Sequence, residues 1–264
     1  MSTLNNSTIV KEQYKTARNL NTRISIHAKY STNKESFGDW IVSNYKIAGG
    51  MRILELGCGT GDMWKGHLEL LHNSTELVLT DFSEGMLEAA KKNLGAWEQI
   101  SYQVVDIQNI PFEDNSFDIV IANMMLYHVP DLAKGLAEVR RVLKTDGTFY
   151  CATYGEYGIV EYIAGLLRKY NVEGKLNKNF TLQNGAEILS QQFLHVERLD
   201  REDGLAVTEV QDMVDYVYSL ASMSNIGAIP REELTGILEA NMVDGVLHVP
   251  KEYGMFVCKG EKEI

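Results

Sequence analysis

Short apolar runs alternate along this chain with stretches whose apolar residues recur at helical spacing. The strand-like runs fall at about 51–56, 76–80, 101–105, 118–122 and 147–153, and helical patterns lie near 62–71, 84–94 and 131–143. That alternation predicts an α/β fold in which a parallel sheet is covered by helices on both faces. Asp146-Gly147 supplies the turn into the fifth run. Beyond it the rhythm changes. Gly155, Gly158, Gly165 and Gly174 surround one amphipathic helix at 160–170, and the segment 154–180 reads as an insertion capping the carboxyl edge of the sheet. A helix at 181–192, strand-like runs at 193–198 and 205–207, helices at 208–221 and 230–242, and a last strand-like run at 253–259 complete the order. The pattern divides the chain into an N-terminal helical segment, 1–45, and a main domain, 46–264, that carries the cap.

The first apolar run ends in chemistry. Ile53-Leu-Glu-Leu-Gly-Cys-Gly-Thr-Gly61 places Gly57, Gly59 and Gly61 where a strand gives way to a turn, so the backbone can approach a ligand that a Cβ would exclude. A dinucleotide fingerprint would need a further glycine at position 62, which is Asp62. The second run ends at Asp81, 20 residues past Gly61, where a carboxylate in a doubly wound sheet reaches ribose hydroxyls. Met86, at the start of the next helix, offers a soft side chain for one face of an adenine ring. The third run closes at Asp106, positioned to accept from an exocyclic amine. Singly, each carboxylate is also an ordinary cap or loop residue, and Met86 an ordinary core residue.

Together these residues resemble the class I S-adenosylmethionine-dependent methyltransferases, in the small-molecule branch that includes ubiquinone and menaquinone biosynthetic enzymes. The resemblance runs through Glu55–Gly61, Asp81-Phe82-Ser83 with Met86-Leu87, Asp106-Ile107, Pro111-Phe112, Phe117-Asp118, Asn123–Asp131 and Val139–Gly147, and covers roughly 50–150. It implies a Rossmann-like, doubly wound, mostly parallel seven-stranded sheet with an antiparallel final strand and a helical cap. It further implies that Glu55 anchors the cofactor's ammonium and that Gly57, Cys58, Gly59 and Gly61 pass beneath its amino-acid part. Asp81 would hold the ribose, Phe82 and Met86 flank the adenine, Asp106 and the backbone of Ile107 read its edge, and Asn123 line the floor near the methyl group. A tyrosine of the N-terminal segment, Tyr14 or Tyr30, would cover the cofactor.

Methyl transfer from a sulfonium asks the protein chiefly to align nucleophile, carbon and leaving sulfur. Acceptors that must shed a proton also need a base. His128, in Leu126-Tyr-His-Val-Pro-Asp131, matches a family motif whose histidine faces the active site, and imidazole titrates close to neutrality. The alternative is a scaffold histidine bonded to its own loop. Tyr127, Tyr154, His27 and Tyr14 are further candidates for contacting substrate.

Composition narrows the partners. The 264 residues carry a formal charge of −11, which disfavours nucleic acid because phosphate contacts need a basic face. Three cysteines without C-x-x-C spacing suggest neither a disulfide framework nor a zinc site. The polar start, 1–10, does not resemble a signal peptide, and no apolar run approaches the ~18 residues of a membrane span. A cytoplasmic enzyme acting on a small molecule is the expectation. Oligomeric state and the identity of the acceptor stay open. Two other functions fit parts of the pattern: a non-catalytic S-adenosylmethionine-binding regulator, and a nicotinamide-dependent oxidoreductase, which would be expected to show the full G-x-G-x-x-G.

Overall fold

The computed structural model describes residues 17–72, 74–220 and 225–261. Nine strands are present among them: β1 (Arg52–Leu56), β2 (Glu76–Asp81), β3 (Ile100–Val104), β4 (Phe117–Ile121), β5 (Leu143–Tyr154), β6 (Phe193–Arg201), β7 (Gly204–Val207), β8 (Leu247–Pro250) and β9 (Tyr253–Glu261). Seven of them form one sheet in the order β3-β2-β1-β4-β5-β9-β6, and the final strand runs antiparallel, as the resemblance implied. β1 pairs in parallel with β2 on one side and β4 on the other, which explains why its side chains are buried on both faces. The order reverses between β1 and β4, so their carboxyl ends flank a crevice of the kind where open α/β sheets take ligands.

The contacts divide the chain into two compact units. One comprises Phe37–Thr153, Asn179–Asp200 and Gly254–Ile264; the other comprises Met1–Ser36, Tyr154–Lys178 and Arg201–Tyr253. Residues 1–36 of the N-terminal segment and 154–178 of the expected cap thus share a unit with 201–253, while 37–45 and 179–180 fall in the unit with the large sheet.

The unit with the large sheet is built around Ile53, Leu77, Leu79, Ile119 and Ile121 of adjacent strands. The helix Glu84–Leu94 adds Leu87, Ala90 and Leu94, one inward stripe at helical spacing, and stops at Gly95. Its neighbour Leu132–Val142 is capped by Asp131, whose side chain accepts from the Lys134 N–H at 3.0 Å. The helix expected over 62–71 is replaced by two 3-10 turns, Asp62–Trp64 and Leu68–Leu70, because Gly66 between them adopts a left-handed φ of 87°. In the other unit, helices Ala17–Tyr30, Val210–Ser219 and Arg231–Glu239 and the antiparallel β7–β8 pair share a core of Ile26, Met213, Val217, Leu234 and Leu247. Among the described residues no helix is long and apolar enough to cross a membrane.

Candidate active site

Gly57, Gly59 and Gly61 leave β1 with φ of 72°, 55° and 73°, a left-handed run closed to most side chains. The turn is stapled to the neighbouring strand: Cys58 N–H donates to the Thr80 carbonyl at 2.8 Å, and the Thr80 hydroxyl donates back to the Glu55 carbonyl at 2.7 Å. A Cβ on Gly57 would meet Met125, and one on Gly61 would sit 3.0 Å from Leu94 Cδ1 and 3.2 Å from Ala90 Cβ. Gly59 differs, because a Cβ there meets nothing within 4 Å. Packing therefore explains two of these glycines, and at the third the main chain is open to a ligand.

Asp81 grips this turn. One carboxylate oxygen accepts from Gly59 N–H at 3.0 Å and the other from Ser83 N–H at 2.8 Å, and each keeps a further lone pair. Phe82, beside it, is 61% exposed, an unusual position for a phenylalanine, and Met86 lies half-buried in the first turn of the following helix. At the end of β3, Asp106 accepts from the Gln108 backbone N–H at 2.9 Å and its side-chain amide at 3.1 Å. Gln108 in turn accepts from Asp131 N–H at 3.1 Å, fixing this loop to the start of helix Leu132–Val142. Ile107 is buried behind it.

Glu55 is 3% exposed, and its carboxylate accepts a 2.6 Å hydrogen bond from the Trp64 indole. Burial lifts its pKa from 4.5 to about 7; the Trp64 bond opposes that shift and the charge of Asp81 adds to it. Asn123, at the end of β4, accepts from Ala152 N–H at 3.1 Å and donates to the Tyr45 hydroxyl at 2.6 Å, so its amide brackets β5 to Tyr45. Met124 follows with a left-handed φ of 54°, held by its N–H on the Ala152 carbonyl at 2.8 Å. A 3-10 turn, Leu126–His128, comes next. The His128 ring lies 4.5 Å from that of Tyr127, its Nδ1 is buried without a hydrogen-bond partner among the described residues, and burial holds its pKa below the ordinary imidazole value.

Residues 54–151 match the model of a methyltransferase domain family. A demethylmenaquinone methyltransferase of Staphylococcus aureus is 36% identical over 111 residues, which span 42% of this chain and 46% of the relative. Over that stretch the chain is similar to a methyltransferase domain. The matched stretch amounts to less than half the length of that curated relative. Two solved structures share the fold over 99% of this chain. They are a phosphoethanolamine N-methyltransferase 2 of Haemonchus contortus in complex with phosphomonomethylethanolamine and S-adenosylhomocysteine (TM-score 0.59, 16% identity, 61% of that chain covered), and the cyclase SpnF (TM-score 0.59, 17% identity, 98% covered).

The matched stretch contains Glu55, Gly57, Cys58, Gly59, Gly61, Asp81, Phe82, Met86, Asp106, Ile107, Asn123, Tyr127 and His128, which lie at or just beyond the carboxyl ends of β1 to β4 in one unit. The other expected residues belong to the second unit. Tyr30 is buried in the core of its own unit, with its hydroxyl on Asp212 at 2.6 Å. Tyr154 donates to the Asn177 carbonyl at 2.9 Å. His27 packs edge-on against Tyr216 and Tyr253. Tyr14 lies outside the described residues. Two residues at the site escaped the sequence reading. Trp64 carried a signal, an aromatic one turn past the glycine run, whereas Tyr45 meets Asn123 across 78 positions, a contact that no local pattern announces.

Proposed function

We propose that this protein transfers the methyl group of S-adenosylmethionine to a small-molecule acceptor. The observation that carries this reading is the left-handed Gly59 with open space on its Cβ side and its N–H held by Asp81, inside a stretch that matches a methyltransferase domain. The residues fit the cofactor chemically. Asp81 offers two carboxylate oxygens to a ribose diol, exposed Phe82 and half-buried Met86 offer apolar surface to an adenine, and Asp106 with the Ile107 backbone offers polar groups to its edge. Buried Glu55 provides a counter-charge for an ammonium, its orientation set by Trp64. When bound, the cofactor supplies an electrophilic methyl carbon on a sulfonium.

The chain's own task is then orientation and, for an acceptor that must lose a proton, its removal. Fixed alignment supplies up to ~7–11 kcal/mol of barrier reduction in favourable intramolecular models. His128 takes the base role: burial keeps its imidazole neutral near pH 7, and a neutral ring accepts a proton. Asn123, its amide bonded to Tyr45 and Ala152, forms a rigid floor. Tyr127, Tyr14, His27 and Tyr154 are proposed for contact with the acceptor, and a cytoplasmic setting with no nucleic-acid partner suits an acidic chain. Titration of S-adenosylhomocysteine into wild type and Asp81→Ala tests the reading. The variant is expected to bind about 10- to 100-fold more weakly, the cost of one lost charge-assisted hydrogen bond. No binding to folded wild type, or equal binding to both, overturns it.

A further inference from the structure

Outside the matched stretch, the unit formed by 1–36, 154–178 and 201–253 buries a charge cluster around Asp203. Asp203 lies at its centre, with a side chain that is 0% exposed. It accepts from both Arg201 and Lys251, whose side chains are 2% and 5% exposed, and from the backbone N–H groups of Asn33 at 3.1 Å and Gly204 at 2.8 Å. Ser31 Oγ donates to it at 3.0 Å. Arg201 spends a second nitrogen on the Glu35 carbonyl, and Lys251 a second donor on Ser31 Oγ at 2.6 Å.

Two cations thus share one carboxylate. Glu252, next in sequence to Lys251, accepts from Tyr157 N–H at 2.7 Å, and Asp212 pairs with Lys29. An uncompensated buried charge costs several kcal/mol, so a cluster of this sign is completed by an anion or by loss of a proton. Donors remain for an anion. Arg201 Nε and His27 Nδ1 are buried without hydrogen-bond partners among the described residues, and Lys251 has donated only two of its three protons. His27 neighbours the cluster: its ring lies 6.4 Å from that of Tyr253, over which Lys251 sits at 5.7 Å, and the charges of Lys251, Asp203 and Arg201 act on it. Burial and the charge of Lys251 hold its pKa at about 4, so it is a neutral ring able to donate from Nδ1. Segment 31–36 borders the cluster through Ser31, Asn33 and the Glu35 carbonyl, and beyond the Ser31–Leu205 bridge it is irregular and mostly exposed.

We infer that His27, Arg201 and Lys251 bind an oxyanion, the carboxylate or phosphate of a small acidic molecule.

Thermal unfolding and calorimetry of the full chain test this with inorganic phosphate in one arm and acetate in another, each against chloride at equal ionic strength. Wild type is expected to gain stability from at least one oxyanion beyond the chloride control, and the arm that responds identifies the group. Lys251→Met leaves Arg201 and Asp203 balanced, so it is expected to fold while losing about tenfold or more in oxyanion affinity. His27→Phe removes the ring donor without altering charge and is expected to weaken binding with stability retained. Lys169→Met, which removes an exposed lysine of the same unit, is expected to respond as wild type does. The proposal is overturned if neither oxyanion exceeds chloride, or if Lys251→Met and His27→Phe respond like wild type. S-adenosylhomocysteine binding, measured in parallel, separates the two readings, since its absence counts against methyl transfer and leaves an oxyanion response standing.

Discussion

His128 combines a buried, unpartnered ring nitrogen with a pKa lowered by burial. If it is the base, the rate on a proton-losing acceptor is expected to rise with pH through that lowered value and then level off. His128→Gln is expected to lose 10²- to 10⁴-fold in turnover, together with the acid limb, while cofactor affinity stays within twofold of wild type (~2-fold). An unchanged pH profile would return His128 to the role of a loop support. Much at this scale was legible from type and spacing alone. Asp81 stands at a strand end 20 residues beyond a glycine run, a position that local pattern can find. What Asp81 does inside the protein was not legible, since its bonds to Gly59 and Ser83 depend on how β1 and β2 lie side by side.

The glycine turn after β1 separates two reasons for lacking a side chain. Gly61→Ala is expected to lose about 1–3 kcal/mol of stability from crowding against Leu94 and Ala90, in addition to the strain of a left-handed alanine. Gly59→Ala carries the strain alone, so it is expected to fold close to wild type yet bind S-adenosylhomocysteine at least ~10-fold more weakly, its methyl occupying the open side of the turn. Melting temperature and calorimetric affinity, measured on both variants, check the contrast, and similar behaviour of the two would remove the distinction. Strands were the more readable elements, because β1, β2 and β4 are short runs buried on both faces. The 62–71 stretch misled, its helical spacing of apolar residues outweighed by one left-handed glycine at 66. β8 left a faint trace, four residues alternating buried and exposed and ending in Pro250, and it became a strand by pairing with β7.

For the molecule as a whole, Glu55 ties folding to pH. Its pKa in the folded chain lies above the unfolded value, so the native state binds the extra proton. The stability this contributes is complete below about pH 4.5 and is lost as pH rises to about 7, a change on the order of 3 kcal/mol. Glu55→Gln keeps an acceptor for Trp64 and cannot ionise. Its unfolding free energy is therefore expected to fall less than wild type's between those pH values, and parallel curves by chemical denaturation would refute the assignment. Across the chain, legibility followed locality. The matched stretch, 54–151, joins consecutive strands and loops, so its pattern survives in sequence order. The unit of 1–36, 154–178 and 201–253 is assembled from three separated pieces, and neither its division nor its buried Asp203 cluster has a signature that neighbouring residues can display.

The two bonds from Asp81 to the main chain have a kinetic consequence. Under the proposed methyl transfer, a turn already held by its own carboxylate would leave an arriving nucleoside no loop to assemble. Capture would then proceed in one phase, with its speed governed by encounter and orientation, and differences among nucleosides would show up in how long each stays.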